Sequence, residues 1–96
     1  MEKAKANYIT QAVKGSGSFM GLIQLIQNDN SMSWLGIDTD GTEILCKDEE
    51  TAEFIGDLAD EFYDVDYLRT GYYDPVMDAK DGICDRYTGM YYVDID

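Results

Sequence analysis

Residues 48–63 read DEETAEFIGDLADEFY, and this stretch decides the fold. Asp48 stands where a helix N-cap belongs, and Glu49 and Glu50 follow in the first turn, where the helix dipole favours anions. Apolar side chains then recur at helical spacing, namely Phe54, Ile55, Leu58, Ala59 and Phe62. The pattern predicts an amphipathic helix over residues 49–63 that buries one face in the core.

The other face of this helix carries only acids, which are Glu53, Asp57, Asp60 and Glu61. No lysine or arginine stands four residues after any of them, so the face is uncompensated within the helix. Asp64 and Asp66 continue the acidic run beyond the helix end. We therefore expect a negative surface on this side of the helix.

Two further helices are predicted before this one. Residues 3–14 hold apolar side chains at helical spacing, and Gly15 follows at the C′ position. Ser18 can cap a second helix over residues 18–28, whose buried face holds Phe19, Leu22, Ile23 and Ile26. The polar run Asn28-Asp29-Asn30 is typical of a turn that ends it.

The remaining segments predict four strands. The aromatic and aliphatic segment Met32 to Ile37 predicts a strand. Residues 38–41 (Asp-Thr-Asp-Gly) predict a tight turn, and the alternation of apolar and polar side chains in residues 43–47 predicts the returning strand. Residues 70–74 (TGYYD) are echoed by residues 88–94 (TGMYYVD), and a long polar connection over residues 75–87 separates them. The order α-α-β-β-α-β-β predicts a single α+β domain over residues 1–96, with four mostly antiparallel strands covered by helices on one face.

Charge is segregated along the chain. Residues 1–30 carry a net charge of +1, whereas residues 31–96 hold 18 carboxylates against four cationic side chains, a net of −14. So negative a surface repels nucleic acid and anionic lipid and attracts basic partners over about a Debye length. Direct binding of nucleic acid or of a membrane surface is therefore not expected.

Composition argues against an enzyme and a cofactor. The chain has no histidine, which removes triads and histidine metal ligands, and it has no phosphate-binding loop. Cys46 and Cys84 are far apart without metal-ligand spacing, so both are expected to be ordinary thiols. The sequence contains neither a stretch of about 20 apolar residues nor a secretory leader, so we expect a cytoplasmic protein.

Two acidic clusters are candidate cation sites. They are residues 38–43 and the set Asp74, Asp78, Asp81 and Asp85. Neither has the register of an EF-hand loop, so a hairpin turn and a solvated helical face are the preferred interpretations. Weak divalent-cation binding by the second cluster remains open.

Tyrosines alternate with carboxylates in the second half of the chain. Neighbours such as Tyr72 and Tyr73 in a strand must point to opposite faces of the sheet. Tyrosines packed on the sheet are one interpretation, and exposed anchors of an acidic interface are the other. The second predicts a partner-binding surface made of Glu53, Asp57, Asp60, Glu61, Asp64, Asp66, Tyr72 and Tyr91.

Three functional hypotheses follow. The first is a protein-interaction module that binds a basic partner surface, in one form as an inhibitor that imitates the charge of nucleic acid. The second is a structural or assembly protein, with a homodimer as the simplest oligomer, whose acidity serves solubility. The third is a weak divalent-cation binder.

The motifs TGYYDP (residues 70–75) and TGMYYVD (residues 88–94) give the last third of the chain a resemblance to a known group. It resembles short acidic proteins of unknown function from bacterial phages and conjugative elements. The resemblance implies a bacterial accessory protein with a partner-binding or inhibitory role, and it carries over no catalytic residue.

Overall fold

Four helices and four strands lie within residues 1–63, 65, 67–76 and 88–95, the part of the chain that the computed structural model describes. In chain order they are α1 (Lys3–Ser16), α2 (Phe19–Asn28), α3 (Asn30–Trp34), β1 (Ile37–Asp40), β2 (Glu43–Cys46), α4 (Glu49–Phe62), β3 (Leu68–Tyr72) and β4 (Tyr91–Ile95). The α+β class and the four-stranded antiparallel sheet are confirmed.

Local capping fixes the helix ends. Helix α1 runs past the predicted stop at Gly15 and ends at Ser16. Its C-cap is Gly17, whose φ of 73° is the left-handed conformation that glycine adopts without strain. Ser18 then caps α2, because its hydroxyl accepts a hydrogen bond from the backbone N–H of Gly21 at 3.0 Å. Helix α4 begins at the predicted residue and ends one residue earlier than predicted.

The strand predicted over Met32–Ile37 is wrong. Residues 30–34 instead form the short helix α3, and Asp29, expected to be part of a turn, is its N-cap with a bond from the Ser31 N–H at 2.9 Å. Strand β1 starts only at Ile37. The hairpin is present, but the turn predicted at residues 38–41 is wrong: residues 38–40 belong to β1 and pair with β2. The turn consists of Gly41 and Thr42, with Asp40 opposite Glu43.

The sheet has the order β1-β2-β4-β3, so β4 is inserted between the first hairpin and β3. All three pairings are antiparallel. Strand β4 sets Val93 opposite Ile44 on one side and opposite Thr70 on the other. Strands β1 and β3 are therefore the two edges of the sheet.

Helices cover one face of the sheet. Directly opposed residues share a face, so Ile37, Ile44, Cys46 and Val93 point to the helices, where they join the buried side chains of α1, α2 and α4 in one core. Glu43, Leu45, Tyr92 and Asp94 lie on the other face. The face of each tyrosine follows from this register: Tyr72 and Tyr91 are on the helix side, Tyr73 and Tyr92 on the other, as strand geometry predicts.

Candidate protein-interaction site

The acids of α4 are presented as one stripe because the cap and the apolar face fix the helix rotation. Asp48 Oδ1 accepts hydrogen bonds from the Thr51 backbone N–H at 2.8 Å and from Thr51 Oγ1 at 2.7 Å. Partial burial alone would raise the pKa of Asp48, but these bonds and the charge of Lys5 outweigh it and hold the pKa below its ordinary value. The helix buries Ala52, Ile55, Gly56, Leu58 and Ala59. Glu49, Glu53, Asp57 and Asp60 are left in a row along one exposed flank.

This flank stands beside edge strand β3 and forms a groove with it. The hollow has a volume of about 500 Å³. Its lining residues are Glu53, Gly56, Asp57, Asp60, Val65, Leu68 and Thr70. Gly56 permits the close approach of strand to helix, since a Cβ there would lie 3.1 Å from Cγ2 of Thr70.

A smaller hollow of about 160 Å³ continues the groove toward the end of β3. It shares Glu53 and Thr70 with the first hollow and adds Glu49, Ala52, Gly71, Tyr72 and Tyr91. The Tyr72 and Tyr91 rings pack with centroids 4.6 Å apart, and Tyr72 remains 45 % exposed. We call the two hollows together the acidic groove: Glu49, Glu53, Asp57 and Asp60 form its helix wall, and Leu68, Thr70, Tyr72 and Tyr91 form its sheet wall.

The carboxylates of the helix wall repel one another. The negative charge of Glu49 raises the pKa of Glu53, with smaller contributions from desolvation, a hydrogen bond with Glu49 and the charge of Asp57. No lysine, arginine or amino terminus lies within ion-pair distance of Glu49, Glu53, Asp57 or Asp60 among the residues that the structure describes. A cation brought to this wall from outside would relieve that repulsion.

Nearby cationic groups are engaged elsewhere. The amino terminus pairs with Glu50, Lys5 Nζ lies 3.5 Å from Asp48 Oδ2, and Arg69 Nη2 donates to Asp94 Oδ2 at 2.8 Å. Arg69 belongs to β3 but lies on the sheet face away from the helices, opposite Asp94. The strand next to the groove thus directs its only cation away from it.

The structure brings together five of the eight residues predicted for the partner-binding surface. They are Glu53, Asp57, Asp60, Tyr72 and Tyr91, all in the acidic groove. Glu61 is exposed on α4 but lines neither hollow. Asp64 and Asp66 lie outside the described residues, so their place relative to the groove stays a prediction.

Sequence reasoning missed the other members of the groove. Glu49 was assigned only a dipole role in the first helical turn, yet its i,i+4 spacing to Glu53 already placed both side chains on one flank. Gly56, Leu68 and Thr70 carried no functional signal. They belong to the site because β3 lies against α4, and no local pattern shows that pairing.

In the part of the chain that the structure describes, the remaining candidate chemistry gives no second site. Cys46 is fully buried on the helix side of the sheet, and burial raises the pKa of its thiol to about 12, as expected for an inert core cysteine. Within the described ranges, no group of three or more histidine, cysteine or acidic side chains is arranged to hold a metal ion. Cys84 and three members of the second acidic cluster (Asp78, Asp81 and Asp85) lie outside those ranges.

Comparison with protein-family models, with curated proteins and with solved structures found no match. Among the helices described, none has the length and apolar character needed to cross a membrane. Function is therefore inferred from the acidic groove itself.

Proposed function

We propose that this protein is a protein-interaction module that binds a basic partner surface through the acidic groove. The observation that carries the proposal is the row Glu49, Glu53, Asp57 and Asp60, which faces an open hollow without a cationic partner among the described residues. Repulsion between these like charges destabilises the free protein, and a cationic surface that binds here is attracted by the same charges and relieves the repulsion.

The groove supplies apolar contact as well as charge. Tyr72 and Tyr91 form an aromatic platform at one end, and a half-exposed tyrosine is typical of residues that anchor interfaces. An arginine or lysine can lie over such a ring while its charged head reaches Glu49 or Glu53. The acids accordingly steer the partner and the tyrosines give contact area.

Charge spacing on α4 supports the nucleic-acid-mimicking form of the proposal. Apart from Glu50, which pairs with the amino terminus, the helix holds five acidic residues, from Glu49 to Glu61. At a rise of about 1.5 Å per residue they span about 18 Å, which is one charge per about 4 Å. One strand of B-DNA carries a phosphate every ~3.4 Å. A basic groove that follows a phosphate strand would meet a similar charge density along this helix.

The test compares two variants with the same net charge. Asp57→Asn with Asp60→Asn removes two charges from the acidic groove, and Asp38→Asn with Asp40→Asn removes two exposed charges from β1 at the opposite edge of the sheet. Binding of a fluorescent oligolysine is measured by anisotropy at several salt concentrations. We expect the groove variant to weaken binding about fivefold, the sum of two exposed ion pairs, and the β1 variant to leave it nearly unchanged. Equal weakening by both would show that net charge alone attracts the ligand.

A second candidate function, self-assembly, is favoured by one observation. Trp34 on α3 is 89 % exposed and borders an open hollow of about 390 Å³ with Ala4, Lys5, Tyr8 and Leu35. Exposed tryptophans are enriched at interfaces. Light scattering decides the matter: a dimer that Trp34→Ser converts to monomer supports assembly, and a monomer at all concentrations rejects it.

A further inference from the structure

Among the described residues, strand β3 has hydrogen-bond partners on only one side of its backbone. It is an edge strand that pairs only with β4. The Tyr73 N–H donates to the Met90 carbonyl at 3.0 Å, which fixes the alternation of the ladder. Arg69 and Gly71 then bond toward β4, and the N–H and C=O groups of Leu68, Thr70 and Tyr72 point to the open edge.

Within the described residues, this edge carries little of the usual protection of sheet edges. Edge strands are commonly blocked by charged side chains, above all lysine, by a proline, by a bulge or by a covering segment. The one charged side chain of β3, Arg69, lies opposite Asp94 on the sheet face away from the groove. Leu68–Tyr72 contains neither lysine nor proline and pairs in continuous register with β4. In the described part of the chain, no backbone group bonds to the outward side of Leu68, Thr70 or Tyr72. The open edge borders the acidic groove, because Leu68, Thr70 and Tyr72 line it.

We propose that the partner binds as an extended segment that adds a fifth strand to the sheet along β3, with lysine or arginine at every second position facing α4. The proposal rests on the proposed function and specifies the shape and sequence pattern of the partner. An added strand lies about 4.8 Å from β3, and alternate side chains point to the helix side of the sheet. Those side chains would enter the acidic groove beside Glu53, Asp57 and Asp60.

The spacing of the helix wall fits that pattern. Glu49, Glu53 and Asp57 follow one another at four-residue intervals, a rise of about 6 Å along α4. Side chains two residues apart on one face of a strand are separated by about 6.6 Å. Successive cationic side chains can therefore each reach a different carboxylate. The intervening side chains lie on the far face of the sheet and meet no acid of α4, so the pattern predicts little selectivity there.

The experiment uses the full chain and synthetic peptides of about seven residues. The first peptide alternates lysine with threonine. The second has the same composition with its lysines placed next to one another, so that only about half can face α4. We expect the alternating peptide to bind about fivefold more tightly in fluorescence anisotropy, because its isomer makes two fewer exposed ion pairs.

Backbone methylation of the alternating peptide tests strand addition directly. Methylating the N–H groups of the lysines removes the donors that face β3 in an antiparallel pairing, whereas methylating those of the threonines alters only the outer side. We expect a loss of about fivefold per blocked bond for the first set and little change for the second. The reverse preference would indicate a parallel added strand, since the bonding residues then alternate the other way.

The outcomes separate this inference from the proposed function. If both methylated peptides bind equally well and Asp57→Asn with Asp60→Asn still weakens binding, the groove recognises charge but strand addition is wrong. If the groove variant and the Asp38→Asn with Asp40→Asn control bind the alternating peptide equally, the proposed function is wrong as well. Equal affinity of the two peptide isomers would overturn the alternating pattern.

Discussion

Arg69→Met tests whether the cation of β3 is held by the sheet and thereby kept out of the acidic groove. Asp94 lies on central strand β4 and is only 6 % exposed. Its Oδ2 accepts a hydrogen bond from Arg69 Nη2 at 2.8 Å, and its Oδ1 accepts one from Thr42 Oγ1 at 3.1 Å. Methionine keeps much of the apolar stem of Arg69 and removes the charge, so the buried carboxylate loses the one cationic group that lies within ion-pair distance among the described residues.

The expected cost follows from this geometry. A hydrogen bond to a charged group contributes roughly 1.5–3 kcal/mol. The carboxylate is buried, but the arginine side chain is 51 % exposed and screened by water. We therefore expect Arg69→Met to lower the free energy of unfolding by about 2 kcal/mol. For a domain of this size, each kcal/mol shifts the melting temperature by about 4–8 °C, so we expect a decrease of about 8–16 °C.

The assay is urea and thermal unfolding followed by circular dichroism. Lys3→Met is the matched control, because it removes the same charge from an exposed site on α1 and should change stability by less than about 0.5 kcal/mol. A double-mutant cycle with Asp94→Asn isolates the pair from the other contacts of Arg69. An Arg69→Met protein as stable as the Lys3→Met control would refute the reasoning.

Three further predictions concern the elements that position the groove. Asp48→Ala removes the cap of α4 and should lower the free energy of unfolding by about 1 kcal/mol at neutral pH. Because folding lowers the pKa of Asp48, the difference in stability from wild type should vanish as the pH falls through that pKa. Urea titrations at several pH values measure this difference. Gly71→Ala places a methyl group too close to the Tyr92 ring and should destabilise the protein by about 1–3 kcal/mol in urea unfolding; unchanged stability would show that the ring is not held against Gly71. In a Cys84→Ser background, Cys46 should resist Ellman's reagent in the native state and react on unfolding, whereas rapid native reaction would contradict its burial.

Local sequence patterns predicted the helices well, because helix ends and faces depend on neighbouring residues. Asp48 as the cap and the apolar spacing of α4 gave its boundaries to within one residue. The same reasoning failed at residues 32–37, since the five-residue helix α3 is too short to show a period. The turn-like run around Asn28 hid the N-cap role of Asp29.

Only the helix wall of the acidic groove could be predicted, because local patterns report the geometry of neighbouring residues and not the pairing of distant strands. The alignment of Glu53, Asp57 and Asp60 follows from helical geometry alone. Their proximity to Tyr72 and Thr70 depends on β4 inserting between β2 and β3, a long-range pairing that no short pattern specifies. Asp94 likewise carried no local signal of its environment, and the long-range pairing of β3 with β4 buries it against Arg69.

The most direct test of the account is a map of where a cationic ligand binds. Two-dimensional NMR of the labelled protein, titrated with the alternating lysine peptide, reports each backbone amide separately. We predict that the largest shifts fall on Glu53, Asp57, Thr70 and Tyr72 in the acidic groove, while Asp38 on the opposite edge stays nearly unchanged. Shifts of similar size at the acids of both sheet edges would contradict the claim that this groove, rather than the net charge, recognises the partner.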